Sequence, residues 1–346
     1  MNLADVLATS RNAEPFQLDD LIAMLDLPPA SPECFALMAE ARRVSEEVSG
    51  GYAEVHGQFA LDLAPCTCNC AWCSFAQRNG VFTDRWQITP EEAVRTALEF
   101  ESAGANAVLA MTTRDYPFSL LLLLGQEIRA ALKPETILIA NTSDRTAHQA
   151  TRMRDAGYAG VYHALRLGEG RDNDIDPNLR LASLRNFSEA GLWIGTCVEP
   201  IGPEHSNEEI ARLIQFTASL RPAFSGAARR IPIPGTAMAR RGMISELRMA
   251  QCVAVTRLAM PRETRGNCTH EPCTLGAAGG ANLFWAETGA NPRDDHAKTE
   301  EHRGMDVTTC AKIFEECDWK VFEGPSAHYT LSAESRLAPL ELSTAM

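Results

Sequence analysis

The stretch Thr89-Pro90-Glu91-Glu92-Ala93-Val94-Arg95-Thr96-Ala97-Leu98-Glu99-Phe100-Glu101-Ser102-Ala103-Gly104-Ala105-Asn106-Ala107-Val108-Leu109-Ala110-Met111 contains the unit from which the fold is built. Thr89 is a capping hydroxyl placed just ahead of Pro90 and two carboxylates, the signature of a helix N-terminus. Ala103-Gly104 stops the helix, since glycine suits the left-handed residue just past a helix end. Ala107–Met111 is then a short apolar run with the length and composition of a buried strand.

The unit recurs on both sides. Ser206-Asn207-Glu208-Glu209 repeats the helix start, and Ala156-Gly157, Ala190-Gly191 and Ala278-Gly279 repeat the stop. Strands are expected at Phe59–Ala64, Ala107–Met111, Ile137–Ala140, Gly160–Leu165, Trp193–Val198, Phe224–Ile233, Gly266–His270 and Asn282–Ala286. Alternating strands and helices imply a parallel sheet wrapped by helices. Eight repeats without a phosphate-binding G-x-G-x-x-G turn favour an α/β fold of the closed (β/α)8 TIM-type barrel kind over an open doubly wound sheet. Residues 1–57 read as an N-terminal helical extension, with stripes at Leu18–Leu25 and Glu33–Val48 closed by Gly50-Gly51. Residues 58–322 form the barrel and 323–346 a C-terminal tail.

Composition narrows the function. The 346 residues carry 32 Lys+Arg against 45 Asp+Glu, a formal charge of −13, with 45% hydrophobic and 22% charged residues. Such a chain is neither disordered nor fibrous. The acidic balance argues against nucleic acid, which needs concentrated Lys and Arg; Arg229-Arg230 and Arg240-Arg241 are the candidates for a local basic patch. The run Ser119–Gly125 is about a third of the roughly 20 residues a membrane-spanning helix needs. Met1-Asn2-Leu3-Ala4-Asp5 lacks the basic start of a signal peptide. The expectation is a cytoplasmic protein acting on a small molecule.

Four of eleven cysteines fall within Cys66-Thr67-Cys68-Asn69-Cys70-Ala71-Trp72-Cys73, just after the first expected strand and hence at the end of the barrel where chemistry sits. In a reducing compartment clustered thiols hold metal more often than disulfides. A structural zinc site needs a second ligand pair, and the chain has no distant C-x2-C or His pair. Three thiolates from one loop hold three irons of a [4Fe–4S] cube and leave the fourth open, because a fourth cysteine is what closes such a cluster. Spacing alone leaves two sets open, Cys66–Cys70–Cys73 and Cys68–Cys70–Cys73.

Cys66-x3-Cys70-x2-Cys73, with aromatic Trp72 before the last cysteine, resembles the signature of radical S-adenosylmethionine enzymes. The surrounding chain resembles the branch of biotin synthase, methylornithine synthase and the related hydrogenase maturase. The resemblance implies that Cys66, Cys70 and Cys73 bind the [4Fe–4S] cluster, with Cys68 a spare thiol. It also implies that S-adenosylmethionine is cleaved to methionine and a 5′-deoxyadenosyl radical that abstracts hydrogen from a small substrate, the electron coming from a flavodoxin or ferredoxin. Trp72 would flank the adenine. Thr112 and Thr113, in Met111-Thr112-Thr113-Arg114-Asp115, stand where relatives bind the methionine amino group. Leu165-Arg166-Leu167-Gly168-Glu169 resembles the branch's Leu-Arg-x-Glu strand end, and Arg180 in Asn178-Leu179-Arg180-Leu181 its carboxylate-binding arginine. Bidentate Arg suits a carboxylate. The plain alternatives are a strand-end ion pair for Arg166 and Glu169, and a solvated helix face for Arg180.

Biotin synthase holds a second cluster with strand cysteines, two of them on the second and third strands. Ala107–Met111 and Ile137–Ala140 have none. Cys197, Cys268, His270 and Cys273 are the candidates for an auxiliary iron–sulfur cluster or a lone metal, His270 standing where that cluster's arginine would be. Cys34, Cys252, Cys310 and Cys317 read as packing. Ala278–Trp285 resembles the branch's eighth strand, and Arg293 beyond it is the candidate for an anionic substrate group. Hydrogen abstraction leading to rearrangement or fragmentation is the leading reading. Sulfur insertion of the biotin synthase or lipoyl synthase kind, and a non-catalytic iron–sulfur carrier or sensor, are the alternatives.

Overall fold

In the computed structural model, which describes residues 3–329, eight parallel strands close into a ring with a helix after each. The strands are β1 (Tyr52–Ala60), β2 (Ala107–Met111), β3 (Ile137–Asn141), β4 (Gly160–Tyr162), β5 (Trp193–Gly195), β6 (Phe224–Arg229), β7 (Gly266–Cys268) and β8 (Leu283–Thr288). Each pairs with the next, and β8 pairs with β1 from Glu54↔Leu283 to Phe59↔Thr288. The expected TIM-type barrel is the fold.

Helices α1 (Leu3–Arg11), α2 (Leu18–Asp26) and α3 (Pro32–Ser49) precede β1. Eight more follow the strands: α4 (Pro90–Ser102), α5 (Phe118–Ala131), α6 (Ala147–Asp155), α7 (Pro177–Glu189), α8 (Asn207–Ser219), α9 (Glu246–Ala259), α10 (Thr274–Ala278) and α11 (Val307–Glu315). Thr89 and Ser206 cap α4 and α8 through reciprocal bonds with Glu92 and Glu209. Gly104, Gly157 and Gly191 take the left-handed conformation; at the fourth stop Gly280 does so instead of Gly279. No helix among the described residues is long and apolar enough to cross a membrane.

The N-terminal helices share the barrel's core, α3 lying on α9 and α2 on α8. Gln251 of α9 donates to the Met24 and Leu27 carbonyls at 2.9 Å, closing the end of α2. Cys34, Cys252 and Cys310 are buried in this core, as read from the sequence.

The strand boundaries differ from the reading in ways that matter. β1 starts at Tyr52, so helix gives way to strand after Ser49 and not near residue 57. Its inward face is Glu54, His56 and Gln58, all buried, and these polar residues hide the strand from any search for an apolar run. Asp62–Leu63 turns away to pair with Trp86–Gln87. β5 stops at Gly195, and a separate segment, Val198–Ile201, pairs with β6. β4, β6 and β7 end at Tyr162, Arg229 and Cys268, which puts His163, Arg166, Arg230 and His270 in the loops at the mouth. Of the tail read as 323–346, Ser326–Tyr329 docks beneath the barrel, and 330–346 lie outside the described residues.

Candidate functional site

An open cavity, about 1200 Å³ counting the solvent at its mouth, lies at the C-terminal ends of the strands. Cys66, Cys68, Cys70 and Cys73 form one side of it. Their loop has little regular structure and is fixed by tethers to three neighbours. Thr67 donates its N–H and hydroxyl to Asp115 at 3.0 and 2.9 Å, on the loop after β2. Asn69 donates to Asp174 at 2.8 Å, and the Ala71 N–H to the Asp172 carbonyl at 2.8 Å, both after β4. The Ser74 N–H donates to the Pro292 carbonyl at 3.1 Å, after β8. Within the loop Asn79 donates to the carbonyls of Cys70 and Cys73 at 3.2 and 2.8 Å.

Burial pushes the Cys70 thiol up to about 12 and the Cys73 thiol well above its usual value. The Cys66 thiol sits lower, about 7, because Cys68 donates a hydrogen bond to it against burial, and Cys68 is raised correspondingly. Only the thiolate is a metal ligand, so a cluster bound here would have to displace these protons. All four cysteines line the cavity, and Cys66, Cys70 and Cys73 are the residues that would hold an iron–sulfur cluster there.

Opposite them stands a network the sequence only partly disclosed. Arg180 is 4% exposed, so the solvated-face alternative is overturned: α7 aims its guanidinium inward. Its Nε lies 3.2 Å from Asp144 and 3.9 Å from Glu169, and its Nη1 lies against the His163 ring. Arg166 does not pair with Glu169 through its side chain. Its Nε donates to Glu199 at 3.1 Å, while Glu169 accepts from the Arg166 N–H at 2.9 Å and from Asn173 at 2.6 Å. Glu169 thus braces the loop from behind. Asp144, His163 and Glu199 were missed; each lies just beyond a strand end, and that position was the available signal.

His163 is 1% exposed and bonds Asp144 at 3.0 Å. Burial and the Arg180 charge push its pKa down to about 4 against the pull of Asp144, so the folded ring is neutral. Burial raises the Asp144 carboxyl, yet His163 and Arg180 together hold it at about 2. Between pH 6.5 and 4 the unfolded chain therefore binds a proton at His163 that the folded chain refuses. Stability is full above 6.5 and is lost as pH falls through that window. Calorimetric melts are expected to show a falling midpoint from pH 6.5 to 4, with a shallower fall in His163→Gln.

Trp72, Thr112 and Thr113 line the cavity. Thr113 has spent its donors: N–H and hydroxyl both go to buried Asp62, at 2.7 and 2.5 Å. Thr112 holds only long hydroxyl contacts of 3.4 Å to the Asn141 carbonyl and Thr142. Arg293 also lines the cavity but is anchored, with Nη2 on Glu287, Nη1 on the His270 carbonyl at 3.0 Å and Nε on Asn291 at 3.2 Å. Arg229 and Arg230 are no surface patch: they line the cavity, bonded to Glu271 and Glu204, while half-exposed Arg241 shares Glu204.

Deeper in the barrel, Cys197, Cys268 and His270 bring donor atoms within 4.8 Å of one another, all buried. Gly226 of β6, at φ 149°, lets the backbone of Cys268 come close; a Cβ there would sit 1.9 Å from the Cys268 carbonyl oxygen. His270 reaches the cavity, stacks on Trp285 and lies 3.0 Å from the Tyr162 hydroxyl. Cys273 is not brought to this group. It caps α10, its sulfur accepting the Gly276 N–H at 3.3 Å.

No family model matches the chain. Among curated proteins it is similar to the biotin synthase of Carboxydothermus hydrogenoformans, 23% identical over 270 residues covering 74% of this chain and 81% of that one. It is also similar to the biotin synthase of Halorhodospira halophila, 24% identical over 318 residues covering 84% and 95%. Its fold matches methylornithine synthase PylB at a TM-score of 0.76 with 17% identity, covering 93% of this chain and 98% of that one. The FeFe-hydrogenase maturase HydG from Carboxydothermus hydrogenoformans matches at 0.76 with 18% identity, covering 94% and 80%.

Proposed function

We propose that the chain is a radical S-adenosylmethionine enzyme of the kind of biotin synthase, methylornithine synthase PylB and HydG, to which it is similar, and that it abstracts hydrogen from a small molecule that then rearranges or fragments. The observation that carries this reading is one cavity lined both by three cysteines of a single tethered loop and by buried Arg180. When bound, a [4Fe–4S] cluster and S-adenosylmethionine supply a 5′-deoxyadenosyl radical, given one electron from a flavodoxin or ferredoxin.

The rest is the work of this chain's own residues. Cys66, Cys70 and Cys73 hold the cluster and Cys68 stands beside them. Arg180, fixed by Asp144 and His163, grips the methionine carboxylate with its planar fork. Thr112, the threonine with a hydroxyl to spare, faces the amino group, and Trp72 flanks the adenine. Arg166 keeps Nε on Glu199 and turns the rest of its guanidinium to the substrate side. Six arginines line the cavity, and five of them are already paired with carboxylates: Arg166 with Glu199, Arg180 with Asp144, Arg229 with Glu271, Arg230 with Glu204 and Arg293 with Glu287.

Sulfur insertion through an auxiliary cluster is the second reading, and the gathering of Cys197, Cys268 and His270 favours it. Against it, β2 and β3 offer no thiol, and Cys273 is occupied elsewhere. Iron and acid-labile sulfide in anaerobically prepared protein are expected at about four each per chain; clearly more supports the auxiliary cluster. The main experiment incubates dithionite-reduced enzyme with S-adenosylmethionine and deuterated candidate substrates. Deuterium in 5′-deoxyadenosine is the expected result. Absence of any 5′-deoxyadenosine overturns the reading in favour of a non-catalytic iron–sulfur carrier.

A further inference from the structure

The inward face of β1 carries a second set of donors far from the cysteine loop. Glu54, His56 and Gln58 alternate onto the barrel interior. Gln58 lines the cavity, and Glu54 lies four residues nearer the closed end, about 13 Å at 3.3 Å per residue. The C-terminal segment passes beneath that end. Asn106 donates to the carbonyls of Phe322 and Gly324 at 2.9 and 2.8 Å and accepts the Ser326 N–H at 2.7 Å. The Ala327 N–H then donates to Glu54 at 2.7 Å, bringing His328 under the barrel. The bare backbone of Gly266 makes room for the ring, since a Cβ there would sit 2.8 Å from His328 Nδ1.

The three side chains converge. Glu54 Oε2 is 2.9 Å from His56 Nε2 and 3.4 Å from His328 Nδ1, and one donor atom of each residue lies within 4.8 Å of the other two. None is more than 2% exposed. Glu54 is fully hydrogen-bonded, by the Ser326 hydroxyl, the Ala327 N–H and His56, but the groups around it are not. His56 Nδ1, His328 Nδ1 and the Tyr329 hydroxyl are buried without a hydrogen-bond partner among the described residues.

We propose that Glu54, His56 and His328 hold a divalent cation of the zinc class, which fastens Ser326–Tyr329 beneath the closed end of the barrel. Two imidazoles and a carboxylate are a common donor set for such ions. Ligands at about 2.0–2.1 Å in a tetrahedron stand roughly 3.3 Å apart, close to the 2.9 and 3.4 Å separations found before any ion draws them in. Two imidazoles in a set of three donors select an ion with strong nitrogen affinity over Mg²⁺ and Ca²⁺, which prefer oxygen. The site is separate from the cavity, so it stands or falls independently of the function proposed above.

The test uses full-length, cluster-loaded protein incubated with one equivalent of Zn²⁺, desalted and analysed for metals. About one zinc per chain is expected in the wild type and in Cys197→Ala/Cys268→Ala, and under a tenth of that in His328→Asn and Glu54→Gln. Zinc absent from the wild type, or lost with the cysteines and kept in His328→Asn, overturns the proposal. Limited proteolysis of the wild type, with and without a zinc chelator, needs no substitution and covers the case of a variant that fails to fold. Chelation is expected to expose cleavage between Phe322 and Tyr329; an unchanged digest overturns the clamp.

Discussion

Replacing Cys70 with alanine is expected to lower 5′-deoxyadenosine formation by at least roughly a thousandfold, about 4 kcal/mol of barrier, and Cys66→Ala, Cys73→Ala and the triple variant are expected to match it. The equality is the informative part. Groups that act as one unit are not additive, and the first loss costs as much as all three. Cys68→Ala is expected to keep at least half the wild-type rate. The two ligand sets left open by spacing are thereby separated: if Cys68 were the ligand and Cys66 the spare, the two single variants would exchange behaviour. The measurement is chromatographic quantitation of 5′-deoxyadenosine after anaerobic reconstitution, with iron content determined on the same samples. A Cys70→Ala protein that cleaves S-adenosylmethionine at the wild-type rate overturns the assignment of the loop.

The same loop shows what a sequence discloses. Its spacing was legible because all the ligands lie within eight residues, so no folding had to be solved to bring them together. The barrel was legible from apolar strands and capped helices repeated eight times. β1 was read late because Glu54, His56 and Gln58 reverse the usual apolar face. Arg180 was singled out by its resemblance to the branch's carboxylate-binding arginine, but its burial was not legible, since one helix turn carries no statement of which side faces the barrel. Arg229-Arg230 was misread as a patch because sequence gives charge without partners, and Glu271 and Glu204 stand 42 and 26 residues away. Cys197, Cys268 and His270 were named together from the sequence and the structure brings them together; the break of β5 at Gly195 and the close approach at Gly226 that accompany this do not follow from local propensity.

Arg180→Met is expected to have two effects that separate cleanly. The first is structural. Asp144 and Glu169 lose a buried cationic partner, and breaking such a pair from one side costs about 3–5 kcal/mol, so the melting midpoint falls. The second concerns the ligand. A charge-assisted bond to the methionine carboxylate contributes about 1.5–3 kcal/mol, so affinity for S-adenosylmethionine falls roughly 10- to 150-fold. Adding Asp144→Asn to Arg180→Met removes one stranded charge. The double variant is therefore expected to recover part of the lost stability while affinity stays low, and S-adenosylmethionine, which raises the wild-type midpoint by binding the folded state, is expected to leave both variants unmoved. If the double variant regains affinity along with stability, Arg180 serves Asp144 alone and the carboxylate is held elsewhere in the cavity. Arg166, whose guanidinium is committed to Glu199 only through Nε, is then the next residue to replace.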